Sequence, residues 1–435
     1  MLETLRNAFR VKDVRDRIIF TFLMLIVIRI GSQLPVPGVD GDLFKSWFES
    51  QAEGLGFFDA ITGGSFLQMS IFALNITPYI TSSIIMQLLT IAIPALEEMH
   101  RDGETGRKKI AEITRYLTIG LALFEASAMT FGFWRSGYLE EKNVLTVLSV
   151  VLALTAGSAV LMWIGERITE KGIGNGISIV LVINIISRIP QDLGSLWEQF
   201  IASQNNVVKA ILAAVVILAI IIGMVIFVVL LQGAERRIPV QAKGSANKTG
   251  AQRTYIPLKV NTSGVIPVIF AQSLMQTPVI LASLFGWGNG TGIGSQILKG
   301  LSQNNWCNPK EPLYTIGLLV YILLIFGFAY FYTQISFNPA ELAERMKKRS
   351  EFIPGLRPGA TTRDYLNNVL NYIVFIGAVC LTIVAVVPIF FNGVFGASVS
   401  FAGTSIIIVV GVVIETLKQI ESQTKVRELK GFLNY

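Results

Sequence analysis

Ten stretches of mostly apolar residues recur along this chain, candidates for the roughly 20 residues that cross a bilayer as a helix, the fifth of them short. They run from Ile18 to Gln33, Ile76 to Ile93, Tyr116 to Phe133, Val144 to Ile164 and Gly176 to Ile189. The remaining five run from Val207 to Leu231, Gly264 to Phe285, Leu313 to Ile335, Leu366 to Phe390 and Phe401 to Ile420. A shorter apolar stretch, Phe57 to Phe66, precedes the second. Of the 435 residues, 52% are hydrophobic and 15% charged, whereas a soluble domain carries about 25% charged residues. A chain this apolar cannot cover its own surface in water, so lipid is the solvent for much of it.

The loops supply a direction. Alternate loops and both termini hold 28 of the 36 Lys and Arg residues, the opposite loops hold 7, and Arg29 lies within the first span. Cytoplasmic loops carry the excess of basic residues, which puts both termini and the even-numbered loops in the cytoplasm. The net charge of +7 is thus assigned to positive cytoplasmic loops rather than to a nucleic-acid surface. The split also supports the number of spans, because one missed or false span would scramble the alternation. Ten spans divide into five and five between Pro190 and Asn206. The halves are residues 1–195 and 196–435, the second carrying long cytoplasmic loops at 232–261 and 336–365. A five-span unit ends on the side opposite its start, so the second half must insert inverted relative to the first. Pro78 and Pro267, each opening the second span of its half, echo that repeat.

The spans are poor in chemistry. Few ionisable residues are candidates for mid-membrane: Arg29 deep in the first span, Glu125 in the third and Glu415 toward the cytoplasmic end of the last. A coupled transporter keeps such groups at mid-membrane for its relays; here they read as structural pairs or snorkelling ends. Gly-Lys never occurs, which removes a Walker phosphate loop, and neither HExxH nor GxSxG is present. Cys307 and Cys380 have no metal-ligand spacing and are not expected to pair, and His100 reads as a solvated loop residue. No cofactor and no metal are expected. The charged segment Met1 to Arg17 lacks the apolar core and cleavage site of a signal peptide, so the first span is expected to be retained. What remains suits a passive conduit driven from elsewhere. The alternatives are a secondary transporter of small solutes, which would need mid-membrane charges and a substrate pocket, and a membrane-integral enzyme.

Two cytoplasmic loops stand out. Glu235 to Gln241 and Tyr255 to Val260 alternate apolar and polar residues around a Gly/Ser/Asn centre, which predicts a hairpin whose prolines confine it to sheet edges. Arg236 and Arg237 at its base suit bidentate contact with phosphates or carboxylates. In the other loop Pro354-Gly355 and Pro358-Gly359 flank Arg357, and a loop held in tight turns around one arginine suggests docking.

One long motif reads Gly165-Glu166-Arg167-Ile168-Thr169-Glu170-Lys171-Gly172-Ile173-Gly174-Asn175-Gly176-Ile177-Ser178. Others are Ile71-Phe72-Ala73-Leu74, Pro78-Tyr79-Ile80, Arg236 to Val240, Pro257 to Asn261, Gly264 to Pro267, Phe352 to Gly359, Gly403-Thr404-Ser405 and Lys418 to Ser422. In these motifs, taken in order from end to end, the chain resembles the SecY family. The resemblance implies an all-α polytopic membrane protein. Its ten transmembrane helices would form two inverted five-helix halves, a clamshell around a central hourglass pore. The implied function is a protein-conducting channel that moves unfolded preproteins across the membrane and releases hydrophobic segments sideways into lipid, between the second and seventh spans. The narrow ring would be Ile76, Ile80, Ile177, Leu181, Ile269 and Ile408. The plug, a short helix near residues 55–68, would include Phe57, Phe58, Ile61, Gly63, Gly64 and Phe66, with the glycines as a mobile joint. Leu181 stands where isoleucine is expected, Asn75 where glycine is common, and Ala402 where the motif has a further glycine. The implied partners are a SecE-like small subunit, a SecG-like subunit, the SecA motor ATPase, the translating ribosome, preprotein signal sequences and membrane lipid, with Arg236, Arg237 and Arg357 at the docking surface. The implied location is the bacterial plasma (inner) membrane.

Overall fold

The computed structural model describes residues 9, 11–50, 59, 62–141, 143–202, 207–242, 254–285, 293–307, 311–395 and 404–432. Each of the ten apolar stretches falls on a helix. They are α1 (Lys12–Gly31), α3 (Thr77–Ala92), α5 (Glu104–Ser136), α6 (Val144–Lys171), α7 (Gly176–Leu196), α8 (Val207–Gly233), α9 (Ile266–Phe285), α11 (Thr315–Ser336), α13 (Ala360–Phe395) and α14 (Thr404–Phe432). Shorter helices lie between them: α2 (Gly41–Ser50), α4 (Pro94–Arg101), α10 (Ile293–Leu301) and α12 (Pro339–Lys348). Among the described residues α5, α6, α7, α8, α11 and α13 are each long and apolar enough to cross a membrane alone, and α3 and α4 are so only together, with a bend of 106° between them. Pro94, the first residue of α4, stands at that bend.

Hydropathy locates the membrane-embedded part of a helix but not its ends. Thus α5 starts at Glu104, well before the apolar stretch, and α14 runs on to Phe432. Backbone hydrogen bonds close within a helix whatever its solvent, so charged turns continue an apolar span into water. The fifth span departs furthest from expectation. It was expected to end at Ile189, but α7 passes through Pro190 to Leu196 and continues as a π-helical turn, Trp197–Ala202. Proline removes one helical donor, a loss that neighbouring structure offsets in membrane helices. Arg188, one of the seven charges assigned from the sequence to the opposite loops, lies inside this helix.

The helices pack as two bundles. In the first, α6 contacts α1, α5 and α7, and α5 also contacts α3. In the second, α11 lies between α9 and α13, while α8 contacts α13 and α14. The bundles meet where α14 packs on α7 and α1, and where α9 packs on α5. Large apolar side chains such as Phe22, Leu145, Leu212 and Leu323 cover the outside, each more than 60% exposed. That is the pattern of a surface solvated by lipid.

The hairpin forms as expected. Strands β1 (Glu235–Ala242) and β2 (Thr254–Lys259) are antiparallel, with Ile238 opposite Ile256. The second loop supplies β3 (Glu351–Phe352), which joins β1 at Gln241 and Ala242, so the order is β2–β1–β3. This corrects the expectation that proline confines both arms to edges: β1, with Pro239, is central. It is tolerated because β3 pairs only beyond that residue, leaving no ladder bond for the proline nitrogen to miss. Ile238, Val240, Leu258, Met346, Ile353, Leu366 and Ile373 form one buried cluster beneath the sheet. The two loops are thus a single packed unit.

Candidate functional site

The motif from Gly165 to Ser178 turns the chain between α6 and α7. A Cβ on Gly176 would lie 1.8 Å from the Gly165 carbonyl oxygen, so only glycine permits this crossing. Thr169 Oγ1 accepts the Gly176 N–H at 2.9 Å, and Thr21 Oγ1 of α1 accepts the Ile173 N–H at 3.1 Å. Asn175 caps α7 by accepting from the Ser178 N–H at 3.4 Å. Three elements thereby fix where α7 begins and which face it turns inward.

That face carries Ile177, Leu181, Asn184 and Arg188, spaced i, i+4, i+7 and i+11, one stripe of a helix. Its first two members join an apolar cluster that draws on both bundles. Ile76, Leu181 and Ile408 are buried in it, and Ile80, Ile177 and Ile269 are partly buried against it. All six residues named from the sequence as a ring therefore lie in one cluster, supplied by α3 and its N-cap, α7, α9 and α14. The cluster also includes Ile28, Phe72, Leu161, Ile164 and Ile168, so it is wider than a ring of six.

Above the apolar pair the stripe turns polar, and it meets the connection leading into α3. Asn75 holds φ +53°, a left-handed conformation that asparagine tolerates better than most side chains. Its Oδ1 accepts from Asn184 Nδ2 at 3.1 Å, and its backbone oxygen accepts from Ser158 Oγ at 3.0 Å. The departure from glycine at this position is thus accommodated: the backbone keeps a glycine-like angle, and the added amide has a partner on α7.

Of the residues assigned to the plug, Phe57, Phe58 and Ile61 lie outside the described residues. The neighbouring described part corrects the expectation of a short helix throughout: Asp59 and Thr62 are helical, but 63–69 is a run of turns. Gly63 and Gly64 have φ +68° and +84°, angles that break a right-handed helix. A Cβ on Gly63 would stand 2.7 Å from the Asn184 carbonyl oxygen, so this glycine is needed for close packing on α7. Phe66 is buried edge-on to Phe44, with ring centroids 5.5 Å apart. Asp59 is fully buried and ion-paired with Arg188, and its Oδ1 also accepts the Leu67 N–H at 2.9 Å. Asp192 Oδ1 lies 3.7 Å from Arg188 Nε. From α1, Arg29 Nη1 donates to the Gly63 oxygen at 3.4 Å. Arg29 is thereby resolved as a structural contact; Glu125 is half-buried in α5, and Glu415 is exposed on α14.

Sequence reasoning missed Asp59, Asn184, Arg188 and Asp192. The i+7 and i+11 positions on the stripe of Ile177 and Leu181 were the available signal.

On the unit formed by the two long loops, Arg236, Arg237 and Arg357 are exposed. Arg237 pairs with Glu235 at 2.7 Å and stacks 4.9 Å from the Tyr255 ring centroid. The Glu235 carboxylate makes this guanidinium harder to deprotonate than an isolated one. Thr362 Oγ1 donates to the Arg357 carbonyl at 2.9 Å, closing the turn at the start of α13 and leaving the arginine outside.

A family model described as SecY matches residues 70–417. The protein translocase subunit SecY of Bacillus subtilis (strain 168) is 43% identical over 450 residues, covering all of both chains. Among solved structures, one is described as showing that the plug domain of the SecY protein stabilises the closed state of the translocation channel and maintains a membrane seal. It superposes with a TM-score of 0.67 at 21% identity, over 96% of this chain and 94% of that one. Sec61 in the canine ribosome–channel complex from the endoplasmic reticulum superposes with a TM-score of 0.65 at 19% identity, again over 96% and 94%.

Proposed function

This chain belongs to the SecY family, and from that premise we propose how its residues conduct a polypeptide. It is a polytopic α-helical membrane protein whose ten spans form two inverted five-helix halves, a clamshell around a central pore. It functions as a protein-conducting channel. No observation favours a transporter of small solutes.

The observation that carries the mechanism is the convergence of Ile76, Ile80, Ile177, Leu181, Ile269 and Ile408, drawn from four helices in both halves, on one apolar cluster. We assign these six to the pore constriction. Residues 1–195 and 196–435 are the halves that part around it. A passing polypeptide presents every type of side chain in turn. A polar ring would bind some segments tightly and keep a wetted path for ions. An aliphatic ring forms no specific bond, changes width by rotamer hops, and dewets when empty. The segment that includes Gly63, Gly64 and Phe66 packs against α7 beyond this constriction and acts as the plug.

The chain supplies no energy source of its own in this scheme. The cytoplasmic unit built from β1, β2, β3 and α12 receives a driver, either a SecA motor or a ribosome, through Arg236, Arg237 and Arg357. A SecE-like subunit and a SecG-like subunit complete the channel. Signal sequences open it, and hydrophobic segments pass into lipid between α3 and α9. Both termini face the cytoplasm of a bacterial plasma membrane. The test is reconstitution of the full chain with its small subunits in proteoliposomes. Transport of an unfolded preprotein should occur only when the motor and ATP are added. Uptake of small solutes without a motor, and no preprotein transport with one, would overturn the assignment.

A further inference from the structure

The face of α7 that carries Ile177 and Leu181 does not stop being organised at the constriction. Arg188 stands seven residues beyond Leu181, roughly 10 Å farther along the helix. There it meets Asp59, which has no exposure to solvent, while the Arg188 side chain is only 17% exposed. The partners are 129 residues apart in sequence. This contact therefore joins two separate elements and does not stabilise a single helix turn. Around it the backbone of the plug lies directly on α7: Gly63 leaves no room for a Cβ, and Ser187 Oγ and Arg29 Nη1 both lie 3.4 Å from its carbonyl oxygen.

A buried pair of this kind is costly to break one partner at a time, because Asp59 is left without its cation and Arg188 keeps only Asp192, 3.7 Å away on its own helix. Movement of the plug away from α7 must separate it. The pair gains its full value only in the closed arrangement, which is the property of a threshold element. A ligand shifts such an equilibrium only by its differential affinity for the two states, so a stronger closed state demands a stronger opening signal.

Resting on the channel reading above, we infer that the Asp59–Arg188 pair is a clasp that holds the plug on α7 and sets how strong a signal sequence must be to open the pore. Arg188 and Asp59 are thus specificity-determining residues for transport, although neither touches the apolar ring.

The test uses the full chain assembled with its small subunits in proteoliposomes. Halide leak without substrate is compared with motor-driven transport of two preproteins, one with an intact signal and one with a crippled signal. Arg188→Ala and Asp59→Asn should raise leak and crippled-signal transport by about tenfold or more, since a stranded or lost charge weakens only the closed state. Transport of the intact preprotein should be unchanged. Arg188→Lys, which keeps the charge between Asp59 and Asp192, should stay near the starting protein. If Arg188→Ala fails to assemble, the near-isosteric Asp59→Asn still decides the matter. Assembled Asp59→Asn protein with unchanged leak and selectivity, or an Arg188→Lys protein as leaky as Asp59→Asn, would overturn the clasp. Failure of the unaltered protein to move the intact preprotein would instead overturn the channel reading.

Discussion

Asn75 and Asn184 share a buried hydrogen bond, Nδ2 of Asn184 to Oδ1 of Asn75 at 3.1 Å, across 109 residues of sequence. It ties the left-handed residue that precedes α3 to the stripe of α7 that carries Ile177 and Leu181. The apolar cluster and the polar contacts made to Gly63 and Asp59 are therefore neighbours on one helix face.

Asn75→Gly keeps the backbone angle but leaves the Asn184 amide unpaired. It should cost about 1–3 kcal/mol of stability, the penalty for a buried orphaned donor. Asn75→Ala should cost more, because alanine adds strain at φ +53°. Replacing both residues together, as Asn75→Gly with Asn184→Ala, should recover part of the loss. Thermal unfolding in detergent measures all three, and equal stability of the single glycine variant and the parent would refute the account.

Ile408→Asn places an amide in the cluster that holds the other five proposed ring residues. Hydration of that amide favours a wetted state over the dry closed one, by about 1–3 kcal/mol. Transport of a preprotein with a defective signal should rise, and ion leak should rise with it. The same substitution at Phe22, which is 62% exposed on the lipid-facing side, should leave both unchanged.

Arg357→Glu reverses the charge on the exposed turn between Pro354-Gly355 and Pro358-Gly359. Motor-driven transport should be lost, while assembly with the small subunit is retained, because the side chain lies outside the packed unit. Copurification and a transport assay on the same preparation separate these outcomes. Normal transport would remove Arg357 from the docking surface.

Leu366→Ala opens a cavity beneath the sheet, where Leu366 is fully buried with Ile238, Leu258, Met346 and Ile353. A loss of about 2–5 kcal/mol is expected for that truncation. Because the two loops share this core, limited proteolysis should become faster in both together. Faster cleavage confined to one loop would show that they are independent.

A single cysteine at position 248, in a background without Cys307 and Cys380, tests the direction of insertion. It should react with an impermeant reagent only from the cytoplasmic side. Labelling only from the outside would invert the topology argued from the basic loops.

The sequence by itself determined the number of spans, their assignment to helices and the hairpin in the loop at 232–261. These are properties of short windows: partition into lipid depends on local apolarity, and strand pairing across a hairpin depends on local alternation. The likeness of its motifs to a known family carried the six ring residues, which composition alone left indistinguishable from lipid-facing ones. What only the tertiary structure decided was where distant residues meet. No window around Pro190 shows that α7 continues through it, and none around Arg188 shows a carboxylate waiting 129 residues away. The joining of β3 to β1 is likewise a contact between two separate loops. Such pairings arise from close packing in three dimensions, where a glycine or an exposed backbone oxygen admits one neighbour and excludes another. A linear pattern carries the periodicity of each element, but not the identity of the partner that its face will find.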